Sequence, residues 1–296
     1  FANGGQVSVS HAEPWANPSA PLKVLKWLFQ ADAPLLFRPR LDPAQWRWAL
    51  AFLRECTSAR AAYNIRQMVT VGSYSRAELQ ALRQDAGIAY DALTKGILHF
   101  YTNPQEFDGA LNPTRIMQDL GCNRQIIDAD RAVELEPALK PIQDRIAGEP
   151  YTSEDESGDA RKFTQNLAKK CAEAGVEFLY GTEVLDFERA WDRILGVQVL
   201  KDGVHNTFRA DAYVLSLGSY SAPMARKIGL TLDIYPTKGY SITVPVKSEE
   251  AAFNVSLTDD EYKLVYSRLG DRMRVAGTAE LLEACLPEPA PNKIPR

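Results

Sequence analysis

The sequence predicts a mixed α/β (α+β) protein, and three stretches carry that expectation. Phe163, Leu167 and Cys171 share one helical face, Gly175 stands where a helix stops, and Val176 to Tyr180 reads as a strand. Tyr213 to Leu217 is an almost unbroken apolar run, as a buried parallel strand is, and it enters Gly218, Ser219, Tyr220, Ser221 and a helix start at Pro223. Tyr240, Ile242 and Val244 alternate, and Tyr262 to Ser267 and Met273 to Ala276 form two more strands around a Leu269-Gly270-Asp271 turn, which predicts an antiparallel sheet. Two interleaved units follow: a parallel α/β part over 152–232, and a helical-plus-antiparallel part over 20–150 and 233–280.

Along the chain, "FANGGQVSVSHAEPW" comes first. Gly4 and Gly5 leave the backbone open to close approach, so the stretch reads either as a surface loop or as a loop that cradles a cofactor. Pro21 to Thr70 is rich in Trp and Arg, with Trp15, Trp27, Trp46 and Trp48 in or beside it. Ala49, Phe52, Leu53, Cys56 and Tyr63 recur at helical spacing, predicting one helix from Ala44 to near Arg66 behind an Asp42-Pro43 start. Lys23, Lys26, Arg38, Arg40, Arg47 and Arg54 interleave with the aromatics. That pattern suits a membrane-surface or partner-docking face; the preferred reading is a helical layer on a sheet with a solvated basic side.

Ser75 with Glu78 has the form of a capping box, followed by Leu79, Leu82 and a stop at Gly87. Ile97 to Tyr101 reads as a strand, and Asn103 to Leu120 as a weak helix broken at Asp108-Gly109 and Pro113. Asp128 opens a short helix to Leu135 that Pro137 ends, and loop and turn lead to Pro150. Acidic turn residues from Glu154 to Asp159 precede the helix of Phe163. Asp186, Glu188 and Arg189 lead into a hairpin of Ile194–Leu200 and Val204–Phe208 about an Asp202-Gly203 turn. After Glu280 a four-proline tail reads as irregular.

Composition narrows the function. A hydrophobic fraction of 45% and a charged fraction of 24% are ordinary for a soluble globular chain of 296 residues. A net charge of -4 leaves no basic footprint for nucleic acid. Cys56, Cys122, Cys171 and Cys285 form no CxxC pair, which fits a reducing compartment better than a disulfide scaffold or zinc site. His11, His99 and His205 are scattered, so no metal site is expected and each reads as a surface or satisfied core histidine. No apolar run is long enough to span a bilayer, and no signal peptide is visible. The chain opens at Phe1 in what reads as mid-loop, so the natural protein is expected to continue upstream.

No GxSxG, HExxH, Walker A or complete GxGxxG occurs. Flavin chemistry suits such a chain, because the cofactor carries the reaction and the protein supplies binding and orientation. The strand-end turn of Ser216, Gly218 and Ser219 is a place where α/β sheets hold ligands, although an ordinary βα turn looks the same.

"ANGGQVSVSHAEPWANPSAPLKVLKWLF", "DESGDARKFTQNLAKKCAEAGVEF", "ADAYVLSLGSYSAPM" and "YPTKGYSITVPV" together resemble the bacterial D-amino-acid dehydrogenase small-subunit family. This family lies in the FAD-dependent D-amino-acid-oxidase-like superfamily, beside glycine and sarcosine oxidases. The resemblance runs in order from Phe1 to near Glu280. It implies a partial Rossmann-like FAD domain (1–19 and 152–232) interleaved with a substrate domain (20–151 and 233–280), with 281–296 as an irregular tail. It implies FAD as cofactor and oxidative deamination of D-amino acids, D-alanine among them, to 2-oxo acids and ammonia. Electrons would pass to a quinone or other membrane-linked acceptor, from a cytoplasmic protein, peripheral on the inner face of the plasma membrane where it docks. Asn3, Gly4, Gly5 and Gln6 match the loop along the flavin, and Val184 the position facing the adenine end. Ser216, Gly218 and Ser219 match the strand-end motif beside the cofactor. Lys238 and Tyr240, flanking Gly239, match the strand entering the substrate domain, with Tyr240 the substrate-side contact. No catalytic residue is assigned.

The family's opening strand and GxGxxG turn are absent before Phe1, and the tail does not resemble the continuation that supplies flavin and substrate-carboxylate contacts. The chain by itself is therefore expected to bind FAD poorly and to show little activity. Two alternatives stay open: a sister glycine-, sarcosine- or proline-type amine oxidase, and a non-catalytic binding or assembly fragment lacking the pyrophosphate site.

Overall fold

The structure is a computed structural model, and it describes residues 3–27, 35–37, 39–249 and 252–281. The proline-rich tail beyond 281, the start at Phe1 and the basic residue Arg38 lie outside the described residues. The rest falls into two compact units. One takes its residues from 1–37, 52–175 and 239–280, the other from 38–51 and 176–238.

The chain opens with β1 (Gln6–Val7), a 3-10 turn at Val9–His11, α1 (Ala20–Trp27) and β2 (Leu35–Phe37). Then come α2 (Pro43–Glu55) and α3 (Ser58–Ala86) in place of the single expected helix. The break has a cause: Thr57 has extended backbone and its hydroxyl accepts from the Arg60 amide at 3.3 Å, so it caps a second helix. Asp42 starts α2 as expected, its Oδ1 accepting from the Ala44 amide at 2.9 Å. The capping box at Ser75 does not start a helix. It lies inside α3, whose amides are already bonded within the helix. α3 does end at Gly87, at φ 61°.

β3 (Ile97–Phe100) is followed by α4 (Pro104–Asp119), which runs unbroken past Gly109 and Pro113. Asn103 caps it, accepting from the Gln105 amide at 2.9 Å. Buried Ala110, Thr114 and Met117 hold its inner face, while the Gly109 carbonyl that Pro113 cannot bond belongs to an exposed residue. Next are β4 (Arg124–Ile127), α5 (Ala129–Leu135) capped by Asp128, a 3-10 stretch at Pro137–Arg145, β5 (Glu149–Thr152), β6 (Glu156–Ser157) and α6 (Ala160–Glu173) capped by Asp159.

The second unit holds the antiparallel sheet of β7 (Thr182–Ala190), β8 (Arg193–Lys201) and β9 (Val204–Phe208). The β8–β9 turn is the expected Asp202-Gly203, with both residues at positive φ. A 3-10 turn at Gly218–Tyr220 leads into α7 (Ser221–Lys227). Val176–Tyr180 and Tyr213–Leu217 are not strands, which corrects the expected parallel sheet. Neither has a bonded neighbour strand among the described residues, and an unpaired strand does not hold its form. Val214 is accordingly 89% exposed.

β10 (Thr237–Pro245), β11 (Ser256–Asp259), β12 (Leu264–Leu269) and β13 (Arg272–Leu281) complete the chain. An eight-stranded sheet has the order β10-β13-β12-β11-β3-β5-β4, with β2 on β13. It is mixed, because β3 and β11 run parallel in the register Leu98 with Leu257. One of its cores gathers Leu98, Phe100, Ala132, Leu139, Val255 and Leu257. A second core, of Val9, Ala12, Ile65, Val69, Met117 and Cys122, fixes the Val9–His11 turn against α3 and α4. The class is thus mixed α/β, and the second core sets the position of the amino-terminal loop.

Candidate functional site: the amino-terminal loop and the strand-end turn

The loop from Asn3 to Gln6 is strapped down over its whole length. The Asn3 side chain accepts from the Gly5 amide at 2.8 Å. The Gly158 amide donates to the Gly5 carbonyl at 2.7 Å, and Ser267 Oγ donates to the Gly4 carbonyl at 2.6 Å. Gln6 pairs with Ser157 across β1 and β6, and its Nε2 donates to the Leu257 carbonyl at 3.2 Å. Both glycines are needed by the protein's own packing. A Cβ on Gly5, at φ +70°, would stand 2.6 Å from the Gly158 carbonyl oxygen, and one on Gly4 2.8 Å from Val265 Cγ1. The loop is a fixed wall with partly exposed backbone.

In the same unit Tyr240 lies on β10, where its hydroxyl donates to Glu280 Oε2 at 2.7 Å. The second unit carries the rest. Val184 sits on β7 opposite Val199, and Lys238 near the start of β10. Ser216 precedes the turn that Gly218 and Ser219 open. Gly218 has φ +57°, and no atom lies within 4 Å of a Cβ added there. Asn3 to Gln6 are thus grouped by one unit, and Ser216, Gly218 and Ser219 by the other.

A buried polar network behind the loop escaped sequence reasoning. Asp155, with no exposed surface, accepts from the Val9 amide at 3.1 Å, the Ser10 amide at 3.0 Å, Ser8 Oγ at 3.1 Å and Arg76 Nη1 at 2.9 Å. Glu156 accepts from Arg83 and from Gln80 Nε2 at 3.0 Å. Arg76, Gln80 and Arg83 recur at one helical face of α3, a periodic signal that an acidic run named only as a turn does not reveal.

His11 and His99 are far apart in the sequence, yet their ring centroids are 5.4 Å apart. His99 Nδ1 lies 2.7 Å from Asp260 Oδ2, and its Nε2 lies 3.4 Å from Ser10 Oγ. Burial, then the neighbouring His99, pushes the His11 imidazole down to about 4. Burial, then Arg124, lowers His99 as well. Burial alone would raise Asp260, but His99 beside it holds its carboxyl well below the usual range. The order Ser10–His99–Asp260 has the connectivity of a hydrolytic triad. Ser10 has no exposed surface and its amide is bound to Asp155, so the arrangement fixes the turn and attacks no substrate.

Glu149 is a separate feature. It is fully buried, and both carboxylate oxygens lack a hydrogen-bond partner among the described residues. Burial, then the charge of Asp128, pushes its carboxyl up to about 7. The folded state therefore binds this proton more tightly than the unfolded chain does. The resulting stability is full below the ordinary carboxylate range and is lost as pH rises through about 7. Glu149→Gln is expected to raise stability at pH 8 by ~1–3 kcal/mol and to flatten that slope in urea titrations. An unchanged slope would contradict the assignment.

With this geometry in place, comparison with known proteins decides the family. The family described as FAD dependent oxidoreductase (DAO) matches residues 1–295. The chain belongs to that family. A D-amino acid dehydrogenase of Dechloromonas aromatica is 52% identical over 281 residues, covering 95% of this chain and 67% of the relative. One of Paramagnetospirillum magneticum is 49% identical over 296 residues, covering 99% of this chain and 69% of the relative. Among solved structures, glycine oxidase from Geobacillus kaustophilus aligns at TM-score 0.62 and 24% identity, over 72% of this chain and 56% of its own. L-proline dehydrogenase from P. horikoshii aligns at TM-score 0.61 and 18% identity, over 73% and 55%. The chain thus spans just over two thirds of these curated relatives and little more than half of these solved structures, whose likeness shows the fold.

The family's cofactor is FAD. In one unit the Asn3–Gln6 backbone is held rigid and part-exposed, and in the other Gly218 leaves open space beside its backbone.

Proposed function

We propose that the protein carrying this chain catalyses FAD-dependent oxidative deamination of D-amino acids, D-alanine among them, to 2-oxo acids and ammonia. The observation that carries this reading is 49–52% identity with D-amino acid dehydrogenases over 95–99% of the chain. The glycine oxidase and L-proline dehydrogenase structures, at 18–24% identity, support the sister amine-oxidase reading less well.

Bound FAD supplies the hydride acceptor. In this reading 1–19 and 152–232 hold the cofactor, and 20–151 with 233–280 meet the substrate. Asn3, Gly4, Gly5 and Gln6 form a wall along the flavin, Val184 faces its adenine end, and Ser216, Gly218 and Ser219 bind from the strand-end turn. Tyr240 and Lys238 are substrate-side. The Tyr240 hydroxyl already donates to Glu280, so toward a substrate its oxygen serves as an acceptor.

Electrons leave to a quinone or another membrane-linked acceptor, with the protein cytoplasmic and peripheral on the membrane. In support, α1 exposes Leu22 and Leu25 beside Lys26. Among the described residues, no helix is long and apolar enough to cross a membrane.

Turnover with D-alanine and a soluble quinone, set against oxygen as sole acceptor and against glycine, sarcosine and L-proline as substrates, tests the reading. D-Alanine with quinone is expected to be the fastest pair. Faster turnover of glycine or sarcosine with oxygen would replace the reading with the amine-oxidase one.

A further inference from the structure

Arg274 and Ser267 stand opposite each other on β13 and β12, so their side chains share one face of the sheet. That face meets the amino-terminal loop. Arg274 Nη1 donates to the Asn3 carbonyl at 3.2 Å, and Ser267 Oγ donates to the next carbonyl, that of Gly4, at 2.6 Å. Arg274 Nε donates to Thr243 Oγ1 of β10 at 3.1 Å, which fixes the guanidinium at a second point. All of these residues belong to the first unit.

These ties set the direction of the loop's amides. No peptide bond is cis, so each N–H points opposite to the carbonyl of the residue before it. The Gly4 amide therefore points away from Arg274, and the Gln6 amide away from Gly158, whose own amide holds the Gly5 carbonyl. Neither amide has a hydrogen-bond partner among the described residues, and both residues are part-exposed. The Gly5 amide between them is closed by Asn3 Oδ1. The charge on Arg274 also sets it apart. Arg272, two residues earlier on the same strand, pairs with Asp159 at 2.7 Å and Asp91 at 3.4 Å. Arg274 is half-buried and bonds only neutral oxygens, so its charge has no acidic partner among the described residues.

We propose that Arg274 is a positioning residue for the oxidation. With Ser267 it presets the Gly4 and Gln6 amides as donors and keeps a positive charge behind the loop, so that this wall favours an electron-rich ligand edge. Resting on the FAD reading above, that edge belongs to the flavin, which gains negative charge on reduction. A cation behind the wall then makes the bound flavin easier to reduce. A loop held by neutral groups alone would not have that effect.

Two measurements test it. The first uses the 296-residue chain without flavin. In Arg274→Gln, hydrogen exchange of the Gly5 amide, followed by NMR, is expected to quicken at least about tenfold, because the loop it closes has lost a tie. Thr243→Val releases the guanidinium from β10 without touching its charge; it is expected to quicken exchange less, and it carries the test if the first variant does not fold. Unchanged exchange overturns the positioning role. The second holds the flavin-loaded enzyme at equilibrium with a redox dye of fixed poise. The ratio of reduced to oxidised flavin is expected to fall at least about tenfold in Arg274→Gln and to stay within about threefold of the parent in Arg274→Lys, which keeps the charge. An unchanged ratio in Arg274→Gln, or an equal fall in Arg274→Lys, overturns the role of the charge. If the parent enzyme binds no flavin, the functional reading fails, while the amide exchange still decides whether Arg274 positions the loop.

Discussion

Asp155→Ala is expected to lower folding stability by ~3–5 kcal/mol, whereas Glu154→Ala costs under about 1 kcal/mol. Both carboxylates bind the same arginine, Arg76, at 2.9 Å and 2.6 Å. Contact length does not rank them; burial does. The Glu154 side chain is 49% exposed, so water and salt screen its pairing. Asp155 has no exposed surface, and its removal strands the Val9 and Ser10 amides, the Ser8 hydroxyl and the Arg76 guanidinium at once. Urea denaturation of the two variants checks this, and comparable losses would show that Asp155 does not hold the turn.

Gly5→Ala is the second large effect, expected to cost ~2–4 kcal/mol, part of it appearing as a displaced loop. An alanine there must adopt φ +70° and place its Cβ 2.6 Å from a backbone oxygen. Relief requires moving Gly158, whose amide bonds the Gly5 carbonyl at 2.7 Å beside the β1–β6 pair. Gly218→Ala is the informative partner. It meets the same conformational strain at φ +57° but no steric contact, so it costs only about 1 kcal/mol. If Gly218→Ala nevertheless weakens FAD binding in fluorescence titration, the space at that turn belongs to the cofactor. Unchanged affinity in both variants would remove these two positions from the flavin site.

Local chemistry was legible where it is self-contained. Asp42 and Asp128 open helices as expected, and Asp202-Gly203 turns a hairpin, because each motif is satisfied by its own neighbours. Ser75 misled because it lies inside a continuing helix whose amides are already bonded, and Pro113 because α4 buries Ala110, Thr114 and Met117 around it. Val176–Tyr180 and Tyr213–Leu217 misled for the opposite reason, since strand-like composition needs a partner strand to become a strand.

The site divides in the same way. Gly4 and Gly5 announced close approach, but not that Val265 and Gly158 are what approach on one side. The network of Asp155, His99, Asp260 and Arg124 joins residues up to 161 positions apart in one hydrogen bond, beyond the reach of any spacing rule. Arg274 likewise carries no local mark. Its contact with Asn3 emerges only when β12 and β13 pair against the loop.

The central claim is that this chain forms part of a site where FAD takes electrons from D-amino acids. Anaerobic mixing of the flavin-loaded enzyme with D-alanine or L-alanine tests it most directly. D-Alanine is expected to bleach the flavin's visible absorbance, with one 2-oxo acid formed per flavin, and L-alanine to leave it unchanged. Bleaching by both enantiomers, or by neither while glycine bleaches it, would contradict the account.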